Sequence, residues 1–252
     1  NRPLSIVRCP QGTSSKCFFQ KHLDVKKIEG INFFDVEDKE GLNKYFSLTS
    51  SIGLLTLVQL NAYEFHAWNC QDDNIEFPNQ IVFDLDPDET ILWEDLVWAS
   101  LKLKEILLEL DLESFIKLTG GKGVHLHVPI QPKYKWDEVK SFAYTLGREL
   151  VERYPEKFTT SMSKKARKGR IFIDYLRNER GSTAVLPYSL RTKEKATVAM
   201  PIEWEELLES ESASRYGPDE ALKKIAWRVR DPWCDYYKKQ NQKIVILEPL
   251  SS

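Results

Sequence analysis

No stretch of the 252-residue chain approaches the roughly 20 consecutive apolar residues of a membrane helix, and the amino terminus lacks the basic-then-apolar layout of a secretory signal. The expected location is therefore the cytoplasm, with no membrane partner. Cysteine is sparse. Cys9, Cys17, Cys70 and Cys234 include no Cys-x-x-Cys pair, which excludes a zinc ribbon and suggests no disulfide framework, so all four are expected to be reduced and structural. Neither charge dominates: the formal net charge is −2, which argues against an indiscriminate nucleic-acid binder. Internal repeats and low-complexity linkers are also missing, so residues 1–252 are expected to form a single domain. The chain lacks an initiating Met and runs from Asn1 directly into the strand-like LSIVRCP, as a piece of something longer would.

What is present can fill a core: 42% of residues are apolar and 12% aromatic. Apolar residues at helical spacing predict helices over 93–110 and 136–153, and residues 48–61 read as a buried helix despite Gly53. Strands are expected at 4–8 and 17–20 across a turn at 12–15, at 62–68, and at 115–119 and 124–130 around Gly120-Gly121-Lys122-Gly123. Residues 170–176 and 183–186 read as a further strand pair about a turn at 178–181. Many connections are hairpin-like, so the expected class is α+β, with a mixed or antiparallel sheet flanked by helices.

The most informative segment is QIVFDLDPD, residues 80–88. If 80–85 is a buried strand, Asp84 and Asp86 project to one face, because side chains two apart share a side. Two carboxylates on a rigid edge can hold one or two divalent cations and orient a nucleotide's phosphates. A strand ending in a solvated turn would read the same way. In GRIFIDYLR, period-two alternation puts Arg170, Phe172 and Asp174 on one face. An acid within an apolar strand is costly unless it is paired or metal-bound, which makes Asp174 a candidate third carboxylate, or else a salt-bridge partner of Arg177 or Arg191.

Between Lys164 and Arg180 seven basic residues face two acidic ones, a local strip suited to a phosphate-bearing ligand and equally to a solvated loop. LTGGKGVHLHV sets three glycines and Lys122 in a turn whose amides can approach an anion, without the spacing of a Walker loop. His125 and His127 alternate onto one face, where zinc, a phosphate contact or packing would each account for them; no cysteine lies nearby to complete a zinc site. His66 is a lone histidine in YEFHAW.

Taken in order, RPLSIVRCP, CFFQKH, YEFHAW, VFDLDP, LTGGKGVHLHVP and KGRIFIDYLRNERGSTAVLPYSLR resemble the polymerase domain of bacterial ligase D, the non-homologous end-joining enzyme, within the archaeo-eukaryotic primase superfamily. The resemblance implies a primase-like core with a four-stranded, RRM-like sheet. It also implies nucleotidyl transfer at DNA 3′-ends, template-directed or also non-templated, often with ribonucleotides. Two divalent ions, Mn2+ or Mg2+, would serve as cofactors. Partners would be 5′-phosphorylated DNA ends, nucleoside triphosphates, a Ku-type end-binding protein and a ligase domain, at the bacterial nucleoid.

Position by position, the resemblance makes Asp84, Asp86 and Asp174 the metal-binding carboxylates and puts His66 in the catalytic set. Thr119, Lys122, His125, Arg177 and Arg191 correspond to residues around the triphosphate, and Phe18 and Phe19 to aromatics that contact a base. Lys16 and Lys21 are candidates for the 5′-phosphate. Relatives begin some tens of residues earlier, with a segment containing a Tyr-Tyr pair and a functional lysine, which this chain is expected to lack. Two other readings compete. One is a haloacid dehalogenase-type phosphatase, suggested by FDLDPDET but weakened by Asp88, where that family has Thr or Val. The other is a non-catalytic DNA-end-bridging module of the same fold.

Overall fold

The computed structural model describes residues 1–24, 27–193 and 195–245. In chain order the strands and helices are β1 (Leu4–Arg8), β2 (Phe18–Gln20), β3 (Ile31–Asp38), β4 (Gly41–Leu48), α1 (Ser51–Gln59), β5 (Ala62–Ala67), β6 (Gln80–Pro87), α2 (Trp93–Glu109), β7 (Phe115–Leu118) and β8 (Val124–Pro129). There follow α3 (Trp136–Arg153), β9 (Phe158–Thr159), α4 (Lys164–Arg167), β10 (Ile171–Asp174), a 3-10 turn (Tyr175–Asn178), β11 (Ala184–Val185), β12 (Leu190–Arg191), β13 (Thr197–Val198), β14 (Met200–Ile202), α5 (Trp204–Leu208) and α6 (Pro218–Trp227).

The large sheet has the order β14-β7-β8-β6-β10-β9, antiparallel except for the β10–β9 pair. It has six strands where the resemblance implied four. A smaller antiparallel sheet runs β11-β5-β1-β2, and β3–β4 and β12–β13 are separate hairpins. The expected α+β class with helices flanking a mixed sheet is what the chain adopts. The antiparallel centre also removes the phosphatase reading, which requires alternating strand and helix around a parallel sheet.

One face of the large sheet is wholly apolar. Ile81, Phe83 and Leu85 of β6, Ile116 and Leu118 of β7, Val124 and Leu126 of β8, and Ile171 and Ile173 of β10 pack with α2 and α3 into the main core. Both helices turn a stripe inward at spacings of three and four: Leu96, Ala99, Leu103 and Ile106 from α2, and Val139, Phe142, Leu146 and Leu150 from α3. Acidic residues in their first turns, Glu94 and Asp95, then Asp137 and Glu138, favour the helix starts. The opposite face of the sheet carries the polar side chains.

Three expectations need correction. Residues 48–61 do not form one buried helix: β4 runs to Leu48, and the nine-residue α1 presents only Gly53 and Leu57 inward, leaving Ile52, Leu54, Leu55 and Val58 exposed. Residues 170–176 and 183–186 are not paired with each other. β10 pairs with β6 and β9, whereas β11 joins β5 in the other sheet, because the 3-10 turn after Asp174 carries the chain across. Nor are all four cysteines reduced. Cys9 and Cys17 form a disulfide across the β1–β2 turn, which brings their Cα atoms to 4.3 Å, while Cys70 and Cys234 are free.

Asn178 closes the end of the large sheet. β10 stops at Asp174, opposite Asp84, and beyond that point the Asn178 side chain takes the strand's place: Nδ2 donates to the Val82 carbonyl and Oδ1 accepts from the Val82 N–H, both at 2.8 Å. Asn178 is fully buried, so Asn178→Ala leaves two buried backbone groups unpaired and is expected to cost about 2–4 kcal/mol. A lowered urea midpoint with an unchanged slope would register that loss.

Candidate active site

Strand register assembles the site. On the polar face of the large sheet Lys117 lies opposite His125, His125 opposite Asp84, and Asp84 opposite Asp174, so four ionisable side chains form one row across β7, β8, β6 and β10. Asp86 stands two residues along from Asp84, opposite Phe172. The small sheet faces this row with His66 and Glu64 from β5, while Arg191 arrives on β12. His66, Asp84, Asp86, Thr119, Lys122, His125, Asp174, Arg177 and Arg191 line a single cavity of about 340 Å3, with Arg167, Thr183 and Lys193.

The loop between β7 and β8 is shaped by close approach. At Gly123 a Cβ would sit 2.2 Å from the Leu85 carbonyl oxygen, so only glycine lets the loop lie against β6 beside Asp86. At Gly120, with φ of +68°, a Cβ would meet the Arg191 side chain and the Val198 backbone. Part of the loop's polar capacity is used internally: Thr119 Oγ1 donates to the Gly123 carbonyl at 2.7 Å and accepts from the Gly121 N–H at 3.2 Å. Lys122 is exposed and paired with Glu89 at 2.7 Å.

Two arginines and a histidine flank the three carboxylates. Arg177 Nε lies 3.0 Å from Asp84 and 3.2 Å from Asp174, Arg167 is 3.5 Å from Asp86, and His125 Nε2 is 3.4 Å from Asp84. Burial alone would raise the Asp84 carboxyl, but His125 and Arg177 outweigh it and hold the group well below the usual carboxylate range. Asp86 and Asp174 shift the other way. Burial, with the neighbouring charge of Asp84, raises both, and the arginines do not fully offset it. Burial takes His125 down to about 4, leaving its imidazole neutral at ordinary pH.

The hard oxygens of Asp84, Asp86 and Asp174 suit Mg2+ or Mn2+. Among the described residues no three of His, Cys, Asp and Glu converge closely enough to surround one ion, since Arg177 stands between Asp84 and Asp174. Loading would therefore require the guanidinium groups to give way.

A family model described as "LigD, primase-polymerase domain" matches residues 1–233. The chain belongs to this LigD primase-polymerase family. The multifunctional non-homologous end joining protein LigD of Pseudomonas aeruginosa is 38% identical over 240 residues, covering 93% of this chain and 28% of that protein. The bifunctional non-homologous end joining protein LigD of Bacillus subtilis is 30% identical over 253 residues, covering 100% of this chain and 40% of that protein. The chain thus spans well under half the length of these relatives. The polymerase domain of Mycobacterium tuberculosis ligase D, solved in complex with DNA, matches the fold with a TM-score of 0.86 at 28% identity, covering 95% of this chain and 84% of that one.

Four residues expected at the LigD primase-polymerase site lie outside the cavity. Phe18 and Phe19 are exposed on the edge strand β2; the Phe19 ring stands edge-on to His66 at 5.6 Å and so borders the site, while Phe18 lies near Arg8. Lys16 is exposed in the β1–β2 turn, and Lys21 lines a separate groove with Lys39, Lys140 and Arg180. Asp174 pairs with Arg177 rather than Arg191, whose partner is Glu64 at 3.2 Å.

Sequence reasoning missed Glu64, Lys117 and the role of Arg167. The signal that singled out Asp174, a charge inside an apolar strand, is equally present in AYEFHA and FIKL. Glu64 accepts from the Thr192 N–H and hydroxyl, both at 2.6 Å, and lies 2.9 Å from His66 Nε2. Burial would raise its carboxyl, but these hydrogen bonds and Arg191 outweigh burial and bring it down to about 2. A drop from 4.5 to about 2 corresponds to about 3 kcal/mol, present above pH 4.5 and lost as the pH falls through about 2. Glu64→Gln should therefore destabilise the protein at pH 7 by up to that amount, with the gap to the parent closing on acidification. Unfolding curves across this pH range provide the check.

Proposed function

We propose that this domain transfers nucleotides to a DNA 3′-end in the repair of double-strand breaks by non-homologous end joining. The observation that carries the reading is the meeting, in one cavity, of three carboxylates from adjacent strands with Lys122, His125, Arg177 and Arg191. Family membership and the DNA-bound neighbour support it.

In this reading Asp84, Asp86 and Asp174 would hold two divalent cations, which would supply Lewis acidity toward a hydroxyl and neutralise phosphate charge. The remaining work falls to the chain itself. Lys122 exchanges its exposed partner Glu89 for the triphosphate at little cost, because surface pairs are weak. Arg191, fixed by Glu64 and by donation to the Thr119 carbonyl at 2.8 Å, presents its guanidinium to the phosphates without reorganising. Neutral His125 offers a hydrogen bond in place of a second full charge. Phe19, at the rim beside His66, offers a stacking surface for a base, and Phe18 another on the same edge strand. Lys16 and Lys21 lie beyond the cavity and would meet a 5′-phosphate only if the DNA continued along that side. A Ku-type protein, a ligase domain and a nucleoid location belong to the same reading; among the described residues no helix is long and apolar enough to cross a membrane.

Extension of a labelled primer on a gapped, 5′-phosphorylated duplex, with Mn2+ or Mg2+ and ribo- or deoxynucleoside triphosphates, tests this reading and gives the metal and sugar preferences. Addition by the parent and none by Asp84→Ala is the expected result. Failure by the folded parent in every mixture would overturn the transferase reading. Retained binding of DNA ends in a gel shift would then favour an end-bridging module.

A further inference from the structure

Lys117 begins the ionisable row and has no part in the reading above. It sits within β7, its long side chain entirely buried, and its Nζ donates to the Val185 carbonyl of β11. The side chain thus crosses from the large sheet to the small one.

The strand it reaches has little other support. β11 consists of two residues, Ala184 opposite Ala67 and Val185 opposite His66, followed by one hydrogen bond from the Leu186 N–H to the Phe65 carbonyl at 2.8 Å. Ala184 and Val185 are a wall of the 340 Å3 cavity on one side. On the other side they border a second cavity of about 230 Å3 lined by His127, Pro201, Trp233 and Tyr236. Ala184 and Val185 are buried, yet with a cavity on each face this two-residue strand relies heavily on its hydrogen bonds for its position. Among the described residues, Lys117 supplies the one that comes from the large sheet.

We propose that Lys117 is a positioning residue that docks β11 onto the large sheet and thereby sets the spacing between His66 and His125 on opposite walls of the nucleotide site. The functional half of this inference rests on the transferase reading; the docking half does not. Burial brings the Lys117 amine down to about 7, and the ionisable groups facing it are His125 and His127 on β8, His66 on β5, Arg191 on β12 and Asp84 on β6. An amine donates a hydrogen bond whether or not it is protonated, so docking persists across neutral pH.

Lys117→Met keeps the volume and removes the donor, a change a buried site tolerates when no charged partner is stranded. Lys117→Gln, one bond shorter, restores an uncharged donor. Amide hydrogen exchange without nucleotide is expected to quicken at least about tenfold at Leu186, whose N–H bonds the Phe65 carbonyl, in Lys117→Met, with β7 and β8 protected as in the parent. In primer extension the KM for the nucleoside triphosphate should rise about tenfold with kcat changed less than about threefold, and Lys117→Gln should recover most of that loss. A role confined to stability would lower the melting temperature while leaving KM and kcat of the folded protein alone. Unchanged exchange at Leu186 in Lys117→Met would overturn the docking, and unchanged KM beside quickened exchange would overturn the positioning of the site. If Lys117→Met does not fold, a tenfold KM loss in folded Lys117→Gln would overturn the proposal, and near-parental KM with parental exchange would support it. A parent that neither binds nor adds nucleotide removes the transferase reading, while the exchange experiment still decides the docking.

Discussion

Asp174→Asn is expected to lower nucleotide addition at least about a thousandfold, roughly 4 kcal/mol of transition-state stabilisation, while raising the melting temperature. The two effects share one cause. Asp174 lies on the polar face of β10 opposite Asp84, and burial raises its carboxyl, so the folded state prefers the neutral form. A group with a raised pKa favours the fold below its ordinary value of 3.8 and costs stability as pH rises through its folded pKa. At pH 7 the ionised group is therefore a burden on the fold, and an amide relieves it. Arg177 is not stranded, because Asp84 stays 3.0 Å from its Nε. At this chain length about 1 kcal/mol corresponds to about 2–4 °C. The gap between variant and parent should close as the pH falls through the raised folded pKa of Asp174 toward its ordinary value of 3.8, and added Mn2+ should raise the melting temperature of the parent alone. An active Asp174→Asn protein, or one that melts well below the parent, would remove Asp174 from the proposed metal site.

Arg191→Ala is expected to raise the KM for the nucleoside triphosphate by about 10- to 100-fold with kcat much less affected. Charged hydrogen bonds are worth about 1.5–3 kcal/mol, and one made equally to bound substrate and transition state appears in KM. Arg191 fits that description because both ends of its fork are already fixed, Nε on Glu64 and Nη1 on the Thr119 carbonyl. Lysine cannot reproduce the two-point attachment, so Arg191→Lys should recover little. Glu64 keeps Thr192 and His66 in the variant, and the fold should survive. Steady-state kinetics on the gapped duplex would decide, and a fall in melting temperature with KM unchanged would reduce Arg191 to a structural partner of Glu64.

The sequence exposed the site where local cost was high. Asp84, Asp86 and Asp174 stand in apolar runs that make little sense without a partner, and period-two geometry alone put them on the face where β6 and β10 carry them. The same logic applied to Glu64 and Lys117 would have found both, since each is a buried charge in a strand. What could not be read was pairing at a distance. β10 and β11 are close in sequence yet belong to different sheets, and only the 3-10 turn capped by Asp174, whose carboxylate accepts from the Leu176 N–H, redirects the chain. The β3–β4 hairpin escaped notice because Asp35, Glu37 and Asp38 interrupt any apolar alternation; eight cross-strand pairs hold it instead. The Cys9–Cys17 bond was within reach, since a hairpin about residues 12–15 puts both cysteines at its mouth. In α1 apolar content misled, because a short helix packed on β4 and β5 buries only a narrow stripe however many leucines it carries.

Titration of Mn2+ followed by electron paramagnetic resonance counts the divalent ions that Asp84, Asp86 and Asp174 are proposed to hold together. With a nucleoside triphosphate present, the parent is predicted to take up two ions and Asp174→Asn fewer, in a protein that melts no lower. Equal uptake by the two proteins would remove Asp174 from the proposed metal site.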